Sequence, residues 1–197
     1  DAGSTWASNT DQLAQVIGCT DIAIDPNNPN IMYLATGDGD AGDTYSVGIL
    51  KSTDAGVTWN TTGLSYSNAS YRQISKILID PNNTSTLIVA SSNGVWRSTD
   101  AGATFTNVQS GGFKDMEFKP GDPNTIYAAG TEFYKSTNNG ATWTKITNGI
   151  DPMHFTRAIV ASPRKAGVLF AGTEYGLYIS INDGASWERF QLDLPVT

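Results

Sequence analysis

The sequence Ser52-Thr53-Asp54-Ala55-Gly56-Val57-Thr58-Trp59 contains a pattern that recurs along the chain. Further copies begin at Ser98, Ser136 and Ser180, and each has Ser first, Asp or Asn third, Gly fifth, Ser or Thr seventh and an aromatic residue last. Residues 1–6 match the end of a further copy. Recurrence at a regular distance indicates a repeat architecture, in which each repeat adds one structural unit to a continuous core.

The spacing of the copies identifies the kind of repeat. Successive copies lie roughly 40 residues apart, with short apolar runs and turn residues between them. In the first unit these runs cover residues 19–24, 31–36, 48–52 and 58–61. No segment shows the 3.6-residue apolar spacing of a helix. Four short strands in a period of this length predict an all-β fold, a β-propeller segment of four four-stranded antiparallel blades.

Each copy of the motif is predicted to close a hairpin between two strands. The third residue accepts hydrogen bonds from nearby backbone N–H groups, the glycine adopts a positive φ, and the aromatic residue is buried between neighbouring sheets. The residues in these structural roles are Asp54, Gly56 and Trp59; Asp100, Gly102 and Phe105; Asn138, Gly140 and Trp143; and Asn182, Gly184 and Trp187. Catalysis by the repeated carboxylate is disfavoured, because a catalytic pair occurs once per site whereas this residue recurs and is Asn in two copies.

The repeat also predicts how the chain is divided. Residues 1–18 contain a fourth strand without the first three strands of its blade, so a closed ring of four blades would leave this strand redundant. We therefore expect an arc of a larger propeller, because unpaired sheet edges are an aggregation hazard. The predicted divisions are 1–18 for the end of a preceding blade, 19–62, 63–108, 109–149 and 150–190 for four blades, and 191–197 for the connection to a further blade.

Composition argues against several classes of partner. The 197 residues are 39% hydrophobic, which suffices for a packed interior, and no apolar stretch has the length of a membrane span. A formal net charge of −7 argues against nucleic acid or an anionic membrane surface as a partner. Cys19 is the only cysteine, and the apolar run that it begins predicts a small buried side chain rather than a reactive thiol.

One acidic loop interrupts the repeat. Asp38, Asp40 and Asp43 lie on a glycine-rich segment, and their carboxylates could supply oxygen ligands to Ca²⁺. The spacing is not that of an EF-hand, and a solvated acidic loop is the alternative interpretation. No other cofactor is predicted.

The remaining candidates for chemistry are one histidine and several aromatic residues in the connections. His154 is the only histidine, and a nearby Asp151 is not enough to complete a catalytic triad. Tyr66, Tyr71 and Tyr175 lie between predicted strands, where an exposed ring could stack on a sugar. Ordinary packing of these three rings is the alternative.

The motif resembles the Asp-box, or BNR repeat, of β-propeller proteins, and the resemblance extends from Asp1 to about Phe190. It implies that each copy lies at the turn between the third and fourth strands of a blade, on the rim away from the usual ligand face. Segments 25–30 and 35–40 look most similar to exported multi-repeat proteins of Bacteroidetes-type bacteria. Sialidases, xyloglucanases and sortilin-like propellers are more distant relatives.

The sequence leaves two classes of function open. One is a non-catalytic scaffold, or a propeller portion that binds a glycan or protein on its face, in an exported bacterial protein that is secreted or at the cell surface. The alternative is part of a glycoside hydrolase of the xyloglucanase or sialidase kind. No complete acid/base pair is identifiable in the sequence, which favours the first class. Besides a polysaccharide or protein ligand, the expected partners are the remaining blades of the same or a partner chain.

Overall fold

The computed structural model describes residues 4, 5, 7, 8, 10, 18–38 and 44–190. Within these residues the chain is almost entirely β-structure, with one short 3-10 helix at Asn68–Ser70. In chain order the strands are β1 (Cys19–Ile24), β2 (Met32–Thr36), β3 (Gly48–Ser52), β4 (Asn60–Ser65), β5 (Ile74–Ile79), β6 (Leu87–Ser91), β7 (Gly94–Ser98), β8 (Thr106–Gln109), β9 (Phe113–Lys119), β10 (Asp122–Gly130), β11 (Phe133–Ser136), β12 (Thr144–Lys145), β13 (Thr156–Ala161), β14 (Leu169–Thr173), β15 (Gly176–Ser180) and β16 (Glu188–Arg189).

The strands form four antiparallel sheets of four, and each sheet is built from consecutive strands. We name them blade I (β1–β4), blade II (β5–β8), blade III (β9–β12) and blade IV (β13–β16). The predicted fold, four four-stranded antiparallel blades, is confirmed. The residue limits predicted for the divisions between blades stay a prediction.

The first strand of every blade lies innermost. Strand β1 contacts β5, β5 contacts β9, and β9 contacts β13, so blades I to IV follow one another around a common axis. Blades I and IV share no extensive contact between their described strands. The sequence predicted a fourth strand within residues 1–18, but the described residues of this segment (4, 5, 7, 8, 10 and 18) are not in a strand. This is the radial arrangement of a β-propeller, and its open form agrees with the predicted arc.

Each interior blade is buried on both faces, because alternate side chains of a strand point to opposite sides of the sheet. In β10, Ile126 and Ala128 belong to the core between blades II and III. Tyr127 and Ala129 of the same strand belong to the core between blades III and IV. The fully buried alanine near the end of each second strand leaves room for the adjoining blade.

Two local predictions differ from the structure. The proline and glycine of segment 120–124 predict a turn there, but strand β10 already begins at Asp122, because Gly121 has a φ of 79° and lets Asp122 pair with Lys119. The expectation of a buried Cys19 is wrong, since this residue is exposed at the start of β1. Partial burial still raises the pKa of its thiol. No helix among the described residues has the length and apolar character needed to cross a membrane.

Candidate functional site

The four copies of the repeated motif lie at the turns between the third and fourth strands. In the first copy Asp54 Oδ1 accepts hydrogen bonds from Ser52 Oγ at 2.7 Å and from Thr58 N at 2.8 Å. The second oxygen, Oδ2, accepts from the Thr58 hydroxyl at 2.6 Å. Asp100 makes the same contacts in the second copy. Where the residue is Asn138, its Nδ2 donates to a threonine hydroxyl at 2.8 Å instead.

These bonds keep the motif carboxylates ionised. The hydrogen bonds from Thr58 lower the pKa of Asp54 to about 2. Those from Thr104 do the same for Asp100. A general acid at neutral pH needs a raised pKa, so these two aspartates are not suited to that role, and both act as hydrogen-bond acceptors within their turns.

The turn has two consecutive residues in the left-handed region, of which the sequence predicted only the glycine. The fourth motif residue also has a positive φ in every copy, although it is never glycine. Its φ is 59° at Ala55, 55° at Ala101, 53° at Asn139 and 62° at Asp183. The fifth-position glycine N–H donates to the first-position serine hydroxyl, for example from Gly102 at 3.0 Å.

The motif turns also join neighbouring blades, a role that the sequence interpretation missed. Lys51 Nζ of blade I donates to the carbonyl of Ala101 at 2.9 Å. Arg97 Nε of blade II donates to the carbonyl of Asn139 at the same distance. The sequence does carry a signal for this contact, because a basic residue directly precedes the motif serine in three of the four copies.

The polar contact between blades III and IV involves a side chain as well. Asp183 accepts hydrogen bonds from Tyr127 and Lys135, and from Lys119 Nζ at 3.1 Å. Burial opposes ionisation of Asp183, but the bonds from Lys135, Tyr127 and Lys119 outweigh it and lower its pKa. Burial, reinforced by the bond to Asp183, raises the pKa of the Tyr127 hydroxyl.

Antiparallel topology places two other sets of loops at the opposite end of the blades from the motif turns. These are the turns between second and third strands and the connections from one blade to the next. We call this end the connection face. Asp38 lies there, and its N–H donates to the carbonyl of Thr44 at 2.8 Å. Asp40 and Asp43 lie outside the described residues. Among the residues that the structure describes, no group of three acidic, His or Cys residues is placed to hold a metal. The calcium site stays a prediction.

A stack of two rings stands on the connection face of blade IV. His154, just before β13, packs against Tyr175 in the turn between β14 and β15, with ring centroids 4.7 Å apart and planes at 24°. His154 Nδ1 is 2.8 Å from the Tyr178 hydroxyl. Tyr178 is 4% exposed and belongs to the core between blades III and IV, whereas Tyr175 is 49% exposed. The stack therefore connects the blade core to solvent.

Polar groups surround this stack. Arg157 and Glu174 form an ion pair, and Glu174 N donates to the carbonyl of Phe155 at 3.3 Å. A small pocket of about 80 Å³ adjoins His154. Its lining residues include Thr131, Glu132, Lys145, Asp151 and Thr156. The bond from Lys145 lowers the pKa of Glu132, so the pocket wall carries a fixed ion pair.

The two other tyrosines singled out by the sequence have different surroundings. Tyr71 is 69% exposed, has a φ of 55° and meets Tyr45 edge to face at 4.8 Å. Tyr66 packs against the core between blades I and II, and its hydroxyl donates to Asn93 Oδ1 at 3.3 Å. Burial raises the pKa of Tyr66. Tyr71 and Tyr175 therefore present rings to solvent, whereas Tyr66 is a packing residue.

Carboxylates of the inner strands bind the next blade. Asp115 Oδ2 of β9 accepts from the backbone N of Ile159 in β13 at 3.1 Å, and Glu117 Oε2 accepts from Ala161 N at 2.8 Å. Asp21 Oδ2 of β1 accepts from Ile77 N at 2.9 Å. Burial raises the pKa of both Asp115 and Glu117. These groups satisfy the free backbone edge of the neighbouring inner strand, a role that the sequence interpretation did not foresee.

Comparison with known proteins gives a consistent set of relatives. No protein-family model matches the chain. A xyloglucanase from Paenibacillus sp. is 32% identical over 74% of the chain, and xyloglucanase Xgh74A from Acetivibrio thermocellus is 30% identical over 87% of it. The chain spans only 18% and 24% of the lengths of these two curated relatives.

A solved structure shows the same likeness. The crystal structure of an ancestral GH74 enzyme superimposes with a TM-score of 0.72 over 87% of this chain and 24% of that one, at 23% identity. The blades of this chain are propeller blades. At 23% identity this superposition establishes the β-propeller fold of the chain and does not establish an activity.

Proposed function

We propose that this chain is a polysaccharide-binding portion of an exported, xyloglucanase-related propeller protein. The observation that carries the proposal is its similarity to named xyloglucanases over most of its length, at up to 32% identity. The proposal combines the two functions expected from the sequence. The blades contact a glycan, and a glycoside hydrolase of the xyloglucanase kind is the setting in which they do so.

The motif turns are assigned to the structure of the blades in this proposal. We infer that they are Asp-box turns, since the third residue closes each turn and the fourth contacts the preceding blade in three copies. This use of the motif leaves the connection face for ligands. Two exposed rings there, Tyr71 and Tyr175, support a carbohydrate ligand, because aromatic faces attract the polarised C–H groups of sugars.

The inner-strand carboxylates support binding rather than hydrolysis by these four blades. A glycosidase needs two carboxyl groups free to act on the glycosidic bond. Asp21, Asp115 and Glu117 instead each accept a backbone N–H of the next blade. We therefore assign the chain a binding role without its own acid/base pair.

Affinity electrophoresis of the 197-residue chain tests this function. We expect a gel containing xyloglucan to retard the chain relative to a plain gel, and a dextran gel to have no effect. Equal mobility in all gels would overturn the proposal, and retention by an immobilised peptide library alone would reassign the chain to protein binding. We also expect the chain to release no reducing ends from xyloglucan. Measurable release would contradict the assignment of binding without hydrolysis to these four blades.

A further inference from the structure

We propose that Tyr175 is the floor of a sugar-ring site on blade IV and that His154 is the residue that positions it. This inference rests on the proposed function, because it names where on the connection face a neutral polysaccharide is held. Nothing in the repeat pattern marks this site, since the two rings come from a connection and from a turn between strands.

The ring of Tyr175 is both exposed and fixed in place. Its backbone N–H donates to Thr173 Oγ1 at 3.2 Å, and its carbonyl accepts from Arg189 Nη2 at 3.1 Å. The imidazole of His154 lies against the ring at a centroid distance of 4.7 Å. Because the backbone of Tyr175 is held at its N–H and its carbonyl and its ring rests against His154, the residue loses little conformational freedom when a ligand binds, so more of the contact energy appears as affinity.

The groups beside Tyr175 suit a neutral sugar. Arg157 offers N–H donors and Glu174 offers carboxylate acceptors, which together match the hydroxyl groups around a pyranose ring. Because the two charges are paired, the site has no net preference for an anionic or cationic ligand. Phe155 is 41% exposed, and its carbonyl accepts a hydrogen bond from the Glu174 N–H, so in this proposal its ring offers an apolar contact to a second sugar unit.

His154 acts through Tyr175 rather than on the sugar. Its Nδ1 bonds to the hydroxyl of the buried Tyr178 at 2.8 Å, so the imidazole is anchored to the core between blades III and IV. The same imidazole supports the ring of Tyr175. Without the imidazole, the Tyr175 ring would stay exposed but lose its fixed orientation. We expect this loss to weaken stacking on the sugar, although the groups that contact the sugar stay the same.

Isothermal titration of the 197-residue chain with a xyloglucan oligosaccharide tests the assignment. Tyr175→Ala is expected to weaken binding about tenfold and Tyr175→Phe less than about twofold, because the ring face and not the hydroxyl makes the contact. His154→Ala should weaken binding about threefold, and His154→Phe, which restores a ring, should recover most of this loss. The matched control is Ile181→Ala, an exposed apolar residue on a motif turn at the opposite rim.

The outcomes separate this inference from the proposed function. If the unmodified chain does not bind the oligosaccharide, the proposed function fails. If it binds and Tyr175→Ala binds equally well, the function stands and this site is wrong. A second readout needs no variant, because His154 is the only histidine and gives two separate imidazole proton signals in a one-dimensional NMR spectrum. We expect the xyloglucan oligosaccharide to shift these signals, and unshifted signals at saturation would also overturn the site.

Discussion

At the scale of single residues, the structure explains why Asp and Asn are interchangeable in the motif. In all copies Oδ1 of the third motif residue accepts hydrogen bonds from the hydroxyl of the first-position serine and from the backbone N–H of the seventh residue, as at Asp54 and at Asn182. The second terminal atom faces a hydroxyl, which donates to the Asp oxygen and accepts from the Asn nitrogen. A hydroxyl group rotates to suit either partner, so the turn keeps every bond in both chemical forms.

The two motif copies that contain aspartate make the free energy of unfolding depend on pH in the acid range. The folded pKa of Asp54 and Asp100 is about 2 against an ordinary value of 3.8, so their stabilisation is complete above the ordinary value. It is lost as the pH falls through the folded value, between about pH 4 and pH 2. We expect the double variant Asp54→Asn, Asp100→Asn to fold normally and to lose less stability over this range, measured by urea denaturation at each pH. Parallel pH curves for the two proteins would contradict the prediction.

At the scale of elements, the motif turn is a connector between blades as much as a hairpin. Its fourth residue is Ala, Asn or Asp, and each meets a different set of groups on the preceding blade. The three described interfaces between blades therefore carry different polar contacts. Only the interface of blades III and IV uses a motif carboxylate, that of Asp183, between two lysines.

Removing that charge should weaken the interface in a salt-dependent way. Asp183→Asn keeps a residue that tolerates positive φ, since Asn139 occupies the same position in blade III, but it loses the attraction to Lys119 and Lys135. We expect a loss of about 1–2 kcal/mol in the free energy of unfolding at low salt, measured by urea denaturation. In about 1 M NaCl the loss should shrink, because salt screens partly exposed charges.

The control for this prediction is the exposed neighbour Ile181, whose replacement by alanine should leave stability within about 0.5 kcal/mol at either salt concentration. A loss for Asp183→Asn that is independent of salt would assign the effect to hydrogen-bond geometry instead of charge.

At the scale of the whole molecule, burial is unequal between the blades. Both faces of blades II and III contribute to cores shared with their neighbours. In blade I, Ala23 points to the core shared with blade II, whereas Ile22 and Ile24 on the other side of β1 are 49% and 50% exposed. An apolar sheet face of this kind favours contact with another surface.

We expect this face to promote self-association when repulsion between molecules is weakest. The sequence pI is about 4.5, and the net charge of −7 at pH 7 keeps the molecules apart. Light scattering should therefore report a rising average mass as the pH approaches 4.5. Ile24→Lys should reduce the rise, whereas Val57→Lys on an exposed motif turn serves as a charge-matched control. An equal reduction by both variants would attribute the effect to net charge alone.

The fold could be predicted from sequence because its information is local and repeated. Turn glycines, short apolar runs and the motif aromatics specify each blade independently, and the strands lie close to their expected positions. The contacts between blades could not be predicted, because their partners come together only when two repeats pack. Lys51 then reaches Ala101, and Arg97 reaches Asn139. The candidate site escaped prediction for the same reason. Tyr175 was recognised as a possible stacking residue, but its support by His154 depends on a connection whose path no repeat specifies.

The carboxylates between inner strands have a geometric consequence. Asp115 and Glu117, two residues apart on β9, reach Ile159 and Ala161, two residues apart on β13. These two carboxylates bridge strands that are not paired through their backbones, and the Glu117 side chain is one methylene longer than that of Asp115. Side chains of different length thus bridge β9 and β13 at these two points, and we expect an exchange of Asp and Glu there to change the spacing of blades III and IV while leaving each blade intact.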